Sequence, residues 1–260
     1  MKVIRMIPCI SVANMRESDR KTIETLVPSL TLMYRAAMGV YCAAYWTDYT
    51  VIAVGGGNNG GDGFALACIL QEHNHSCRVV TLSEHLSTDS AHFAEKAKRL
   101  GVLVSAYAPG AFSGCDTIVD CLLGTGFAGE VREPYSTAIR EINSSGARVI
   151  SVDIPSGMNG DTGDAVTAVH SDTTVTIGFV KRGLITENAG NYMSHLMCAD
   201  IGIQLDREED LICPAKDWSD TIAVQGNVFP APEWLNMRPI DVCHVAYSPR
   251  DNSTNTRMCL

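Results

Sequence analysis

Short, β-branched apolar runs alternate with helical segments between residues 49 and 203, and that rhythm restricts the fold more than any other feature of the chain. The runs are 49–54 (YTVIAV), 77–82 (CRVVTL), 101–107 (GVLVSAY), 116–124 (DTIVDCLLG), 148–154 (RVISVDI), 172–179 (DTTVTIGF) and 195–203 (HLMCADIGI). Helices are expected near 62–74, over SAHFAEKAKRLG from Ser90, and near 134–144. Strands alternating with helices of this length build a mostly parallel sheet covered on both faces, an α/β fold of three layers. Upstream, residues 14–45 read as two helices broken at Val27–Ser29. The second, LTLMYRAAMGVYCAAY, is apolar almost all round and suited to burial against the sheet.

Composition narrows the function. At 260 residues with 46% apolar and 19% charged content, the chain suits one globular domain with a sizeable core. A net charge of −9 argues against a nucleic-acid groove, since no basic face is available to replace phosphate counterions. No apolar run approaches the roughly 20 residues that cross a bilayer, so no membrane partner is expected. Ten scattered cysteines, none in a Cys-x-x-Cys pair, read as free thiols in a reducing compartment. His73 and His75 match no metal pattern and read as surface residues. The N-terminus lacks a secretory signal, which points to the cytoplasm, although a short mitochondrial address is compatible with it. After Ile203 the chain turns acidic, then proline-rich and aperiodic, which suits irregular or partly disordered structure.

Ligands of a parallel sheet bind beyond the carboxyl ends of its strands. Three glycine-rich polar segments fall there: GGGNNGGDG (55–63), DCLLGTGFAGE (120–130) and VDIPSGMNGDTG (152–163). In the first, Gly55-x-Gly57-x-x-Gly60 matches a dinucleotide fingerprint, with Glu84 near the place of a ribose-binding acid. No Gly-Lys-Ser/Thr follows, which excludes a P-loop triphosphatase. The same glycines suit a plain tight turn, and Asp62 suits capping of the helix that follows. Asn58 and Asn59 add amide donors and acceptors, fit for a ligand with phosphate and amide groups or for an ion held by oxygens. Gly124-Thr125-Gly126 lets backbone approach a ligand closely. Asp120, inside an apolar strand, is costly unless it meets a cation, a salt bridge or hydrogen bonds. Asp153 closes a buried strand, Pro155 stiffens the turn, and Ser156 brings a hydroxyl, a placement suited to acid–base chemistry. Asp161 and Asp164 read as turn formers.

Taken jointly, GGGNNGGDG (55–63), DCLLGTG (120–126), VDIPSG (152–157) and TVTIGFVKRGL (174–184) closely resemble the NAD(P)H-hydrate epimerases, the YjeF N-terminal domain family. MRESDRKTIE (15–24) and LTLMYRAA (30–37) also look like that family's opening helices. The resemblance covers about residues 10–203 and divides the chain into a domain, 1–203, and a tail, 204–260, of unknown role. It implies a Rossmann-like three-layer α/β/α sandwich that interconverts the R and S epimers of hydrated NADH and NADPH. A separate dehydratase, acting on one epimer, would then restore the coenzyme. By the resemblance, Asn58, Asn59, Gly60, Gly61 and Asp62 would contact the hydrated dinucleotide. So would Gly124, Thr125, Gly126, Phe127, Ala128, Gly129 and Glu130. Asp153 would lie beside the reacting ring as the catalytic residue. One potassium ion per subunit would be held by the oxygens of Asn59, Asp120 and Ser156, and would answer the buried charge of Asp120. Tyr34 departs from the pattern, standing where the family commonly has a glutamate. A homodimer is expected.

The implied chemistry is proton transfer by Asp153 at the ring hydroxyl, a planar iminium-like species, and return of water from the other face. Two rivals use the same fold differently. A non-catalytic dimeric scaffold has no need of Asn59, Asp120, Asp153 and Ser156 together. An NAD-dependent dehydrogenase would need a His, Cys or Tyr-x-x-x-Lys that is not suitably placed.

Overall fold

All five residues of Thr50–Val54 are buried, and their side chains serve two cores at once. Ile52 and Val54 join a core built with Leu32, Phe64 and Phe93, whereas Val51 and Ala53 join one built with Ile118, Ile139 and Ile142. A strand with both faces apolar is the mark of a parallel sheet sandwiched between helices.

The computed structural model describes residues 7–209, 211–212, 224–227 and 243–246. In chain order it comprises β1 (Ile7–Ile10), α1 (Val12–Thr25), α2 (Ser29–Ala43), β2 (Thr50–Val54), α3 (Asn58–Glu72), β3 (Cys77–Thr81) and α4 (Thr88–Arg99). There follow β4 (Leu103–Ala106), β5 (Thr117–Cys121), α5 (Tyr135–Ser144), β6 (Arg148–Val152), β7 (Ser171–Ile177), β8 (Val180–Lys181) and β9 (Met193–Asp200). The strands β10 (Leu211–Ile212), β11 (Val224–Asn227) and β12 (Cys243–Ala246) lie in the tail. The main sheet runs β11-β12-β9-β7-β6-β5-β2-β3-β4. From β9 to β4 every pairing is parallel, and β12 and β11 extend the β9 edge antiparallel. Each run expected as a strand is found in that parallel portion. Helices α2, α3 and α4 cover one face and α5 the other, the expected three layers.

Helix ends follow their chemistry. Ser11 caps α1 by accepting the Asn14 N–H, and Ser87 caps α4 by accepting the Ser90 N–H. Helix α4 also carries Asp89 in its first turn and Lys96, Lys98 and Arg99 in its last, matching the helix dipole.

Three expectations need correction. Helix α3 begins at Asn58, not near 62, because most of the glycines serve packing rather than a loop. A Cβ on Gly60 would stand 2.1 Å from the Gly55 carbonyl oxygen, and one on Gly63 2.8 Å from Val54. Only glycine lets the helix lie this close to the sheet. The tail is irregular over 204–209, as expected, but it also supplies the short strands β10 to β12, and its remainder falls outside the described residues. Residues 204–209 also run back along α1: the Gln204 N–H donates to Thr22 Oγ1, the Asp206 N–H to Ser18 Oγ, and Glu209 accepts from Ser11. Finally, Cys9, Cys68, Cys77, Cys115, Cys121 and Cys198 are free thiols as expected, but Cys42 is disulfide-bonded, a pairing its spacing does not signal. Among the described residues no helix is long and apolar enough to cross a membrane.

A small second sheet, β10-β1-β8, was not foreseen. Its strands are two to four residues long, too short to show a period. Its consequence is local: β1 pairs with β8 in parallel, Ile10 opposite Lys181.

Candidate functional site

Strand order reverses between β2 and β5, with β3 and β4 on one side and β6, β7 and β9 on the other. Such a switch point opens a crevice at the carboxyl ends of the strands. Here the segments after β2 and β5 touch. The Gly55 N–H donates to the Cys121 carbonyl at 3.1 Å, and a Cβ on Gly55 would fall 2.0 Å from the Leu122 oxygen. Above this junction lies a cavity of about 810 Å³, closed on one side by Met15, Arg16 and Asp19 of α1. Arg16 Nη2 ties that wall to the opposite loop by donating to the Thr125 carbonyl at 2.7 Å.

The cavity gathers most of the residues singled out in the sequence. Asn58, Asn59, Asp62, Gly124, Thr125, Gly126, Phe127, Ala128 and Asp153 all line it. Gly60 and Gly61 are buried in helix packing instead, and Gly129 and Glu130 are exposed beyond the lining. Asp120 and Ser156 are fully buried and do not line it. Tyr34 sits in the core beside α3, away from the cavity, where burial pushes its phenol up to about 12.

Asp153 follows β6 with a φ of +71°, a left-handed conformation uncommon for any residue but glycine. Its N–H donates to the Val175 carbonyl at 2.8 Å, fixing the backbone across the sheet. Its carboxylate accepts from Lys181 Nζ at 2.6 Å on Oδ1 and from the Thr125 N–H at 3.2 Å on Oδ2. The side chain is 13% exposed, whereas that of Lys181 is 1% exposed. Lys181 spends its two remaining protons on Thr176 Oγ1 at 3.1 Å and the Ile177 carbonyl at 2.6 Å. Sequence reasoning missed Lys181. The available signal was a lysine in the apolar run GFVK, within a motif already quoted and beside the sheet edge that carries Asp153.

Of the partners that the buried charge of Asp120 was expected to need, the structure shows hydrogen bonds. Oδ1 accepts from Ser156 Oγ at 2.5 Å and the Leu122 N–H at 3.2 Å. Oδ2 accepts from Ser151 Oγ at 2.8 Å and the Ser156 N–H at 2.9 Å. Burial raises its pKa, and these hydrogen bonds oppose the rise. Ser156 Oγ also accepts the Leu123 N–H at 2.8 Å, so the pair braces the second loop against the third. Among the described cavity-lining residues, Asn59 has both Oδ1 and Nδ2 buried without a partner. A buried amide left unpaired is costly and marks a place for a ligand or ion.

Two further carboxyls reach the cavity. Burial, then the neighbouring Asp153 and Asp19, raises Asp62 well above the usual carboxylate range, with Lys181 opposing. Asp19 is raised chiefly by burial, with Lys181 again opposing.

A switch-point cavity with an uncapped helix N-terminus and a glycine loop places the chain in the Rossmann-like class of α/β folds, with a fixed carboxylate at the cavity wall. Residues 29–183 match the family model described as YjeF-related protein N-terminus, and the chain belongs to that family. It is 36% identical over 200 residues to the NAD(P)H-hydrate epimerase of Limosilactobacillus fermentum, covering 74% of this chain and 95% of that protein. It is also 36% identical over 196 residues to the bifunctional NAD(P)H-hydrate repair enzyme Nnr of Coxiella burnetii, covering 72% of this chain and 40% of the longer protein. The crystal structure of yeast ynu0 superposes with a TM-score of 0.64 at 20% identity, over 78% of this chain and 96% of that one, and shares the fold.

Proposed function

We propose that the chain is an NAD(P)H-hydrate epimerase, an isomerase that interconverts the R and S forms of hydrated NADH and NADPH. Asp153 carries the proposal: a carboxylate in a left-handed conformation, held by Lys181 and the Thr125 N–H, facing a nucleotide-sized cavity at the switch point. Gly57 caps α3 without a side-chain hydrogen bond, and a Cβ there would meet nothing, so the first-turn N–H groups are open to a diphosphate. Gly124 and Gly126 let the second loop lie along the dinucleotide, and Asp153 stands beside the ring. As the hydroxyl leaves, the ring nitrogen lone pair makes a planar cation that the Asp153 carboxylate stabilises. Water then adds from the other face.

A potassium ion belongs to the same proposal. The orphaned Asn59 oxygen, with the carboxylate of Asp120 and the hydroxyl of Ser156, offers the all-oxygen donors a hard cation prefers. Bound there, it would supply a fixed positive charge bracing the loops. A separate dehydratase would consume the epimer this enzyme delivers; a relative named as a bifunctional NAD(P)H-hydrate repair enzyme, in Coxiella burnetii, supports a second coupled activity. We also propose a cytoplasmic homodimer, which light scattering on the purified chain would test. For the activity itself, Asp153→Asn should lower epimerisation of either hydrate by about 10²–10⁴-fold. A variant as fast as the wild type would overturn the assignment of Asp153.

A further inference from the structure

Inverting a carbon by losing and regaining its hydroxyl needs two proton-handling groups. The departing oxygen must gain a proton on one face, and the incoming water must lose one on the other. Asp153 alone, with one oxygen accepting from Lys181 Nζ and the other from the Thr125 N–H, supplies a fixed acceptor and no second group for the opposite face.

We propose that Asp62 is the second catalytic carboxyl, donating its proton to the departing hydroxyl while Asp153 takes one from water. This deepens, and rests on, the epimerase assignment above. Asp62 and Asp153 line the same cavity, one from α3 and one from the end of β6. Gly60, Gly61 and Gly63 press α3 onto its neighbours, so the Asp62 backbone is rigidly placed. Among the described residues no hydrogen bond or ion pair engages its carboxyl, and all three Lys181 donors are taken by other groups. The groups facing it are Asp153, Asp19 and Lys181, with the buried Cys121 thiol behind. Its surroundings therefore favour the neutral acid, and burial with Asp153 nearby shifts it in that direction. Two carboxyls of one cavity, one held by a lysine and a backbone N–H and the other without such donors, make an acid–base pair.

The step balances. The C–O bond breaks as the Asp62 proton joins the oxygen, the ring nitrogen lone pair forms C=N, and water leaves. A water then adds to the opposite face and gives its proton to Asp153. One proton has passed from Asp62 to Asp153, and exchange with solvent resets the pair. In the reverse direction the same path is retraced with the roles exchanged: protonated Asp153 donates to the departing hydroxyl and Asp62 takes a proton from the incoming water.

The test uses a single epimer of hydrated NADPH in ¹⁸O-water, with wild type, Asp62→Asn and Asp62→Glu. Wild type should give inverted product carrying ¹⁸O. Asp62→Asn should lose about 10²–10⁴-fold in kcat with KM held within about threefold, and Asp62→Glu should recover at least about tenfold of that loss. If Asp62→Asn fails to fold, Asp62→Ser replaces it, with the same loss expected. Inverted product retaining ¹⁶O overturns the proposal, as does a kcat within about fivefold of wild type or a loss carried wholly by KM. A wild type that does not epimerise overturns the underlying activity, and this proposal with it.

Discussion

Lys181→Met is the perturbation whose size the structure sets best. Methionine matches the lysine stem in length and removes every donor. Lost with the ammonium are the 2.6 Å bond to Asp153, the 2.6 Å bond to the Ile177 carbonyl and the 3.1 Å bond to Thr176. Removing one partner of a fully buried pair costs about 3–5 kcal/mol, because the other is left uncompensated. Asp153 opens onto the cavity and is 13% exposed, so water can reach it, and relief of the lysine's own desolvation works in the same direction. A net loss of about 3 kcal/mol follows. Activity should fall by at least about 10²-fold, since Asp153 would keep only the Thr125 N–H to orient it. Urea denaturation and epimerase kinetics read the two effects. Combined with Asp153→Asn, the double variant should lose about 2 kcal/mol less than the sum of the singles, the signature of a coupled pair. Additive singles, or a Lys181→Met enzyme with wild-type kcat and midpoint, would refute a lysine that both anchors and orients the carboxylate.

Ser156→Ala takes the donor from Asp120 and strands the Leu123 N–H, so it should cost about 2–4 kcal/mol in denaturant melts; a cost near zero contradicts a brace between the two loops. Gly55→Ala places a Cβ 2.0 Å from the Leu122 carbonyl oxygen, pushing the β2 and β5 ends apart. It should destabilise by about 3 kcal/mol and weaken dinucleotide binding in titration calorimetry, and an unaffected variant would mean the junction is slack. Asp62 adds a pH dependence. A carboxyl raised in the folded state binds more protons folded than unfolded, so its contribution falls as pH rises from about 3.9 towards its folded pKa. Asp62→Asn should therefore be more stable than wild type at neutral pH, with the two converging near pH 4. Identical slopes in pH-scanned melts would contradict the raised carboxyl.

The parallel sheet was legible because β2, β5 and β6 are buried on both faces and so read as continuous β-branched runs, each ending in a glycine-rich segment. Chain direction alone then brings Asn59, Thr125 and Asp153 to one edge. What sequence hid were facts of packing. Glycines that admit a close helix look like glycines that make a loop, which moved the start of α3. The sequence left the partner of Asp120 open because its donors Ser151 and Ser156 lie more than thirty residues away, on and just beyond a neighbouring strand. Lys181 went unnoticed because nothing local shows that β8 pairs with β1 and that its ammonium reaches Asp153. The α1 wall, with Asp19 facing the cavity, depends on tertiary docking that no local pattern encodes.

A structure with hydrated NADPH, or with the oxidised coenzyme as an unreactive stand-in, tests the assignment most directly. The nicotinamide ring should lie within hydrogen-bond reach of Asp153, with the diphosphate over the α3 N-terminus at Gly57 to Asn59. A dinucleotide bound in the opposite sense, adenine against Asp153, or bound outside this cavity, would contradict it.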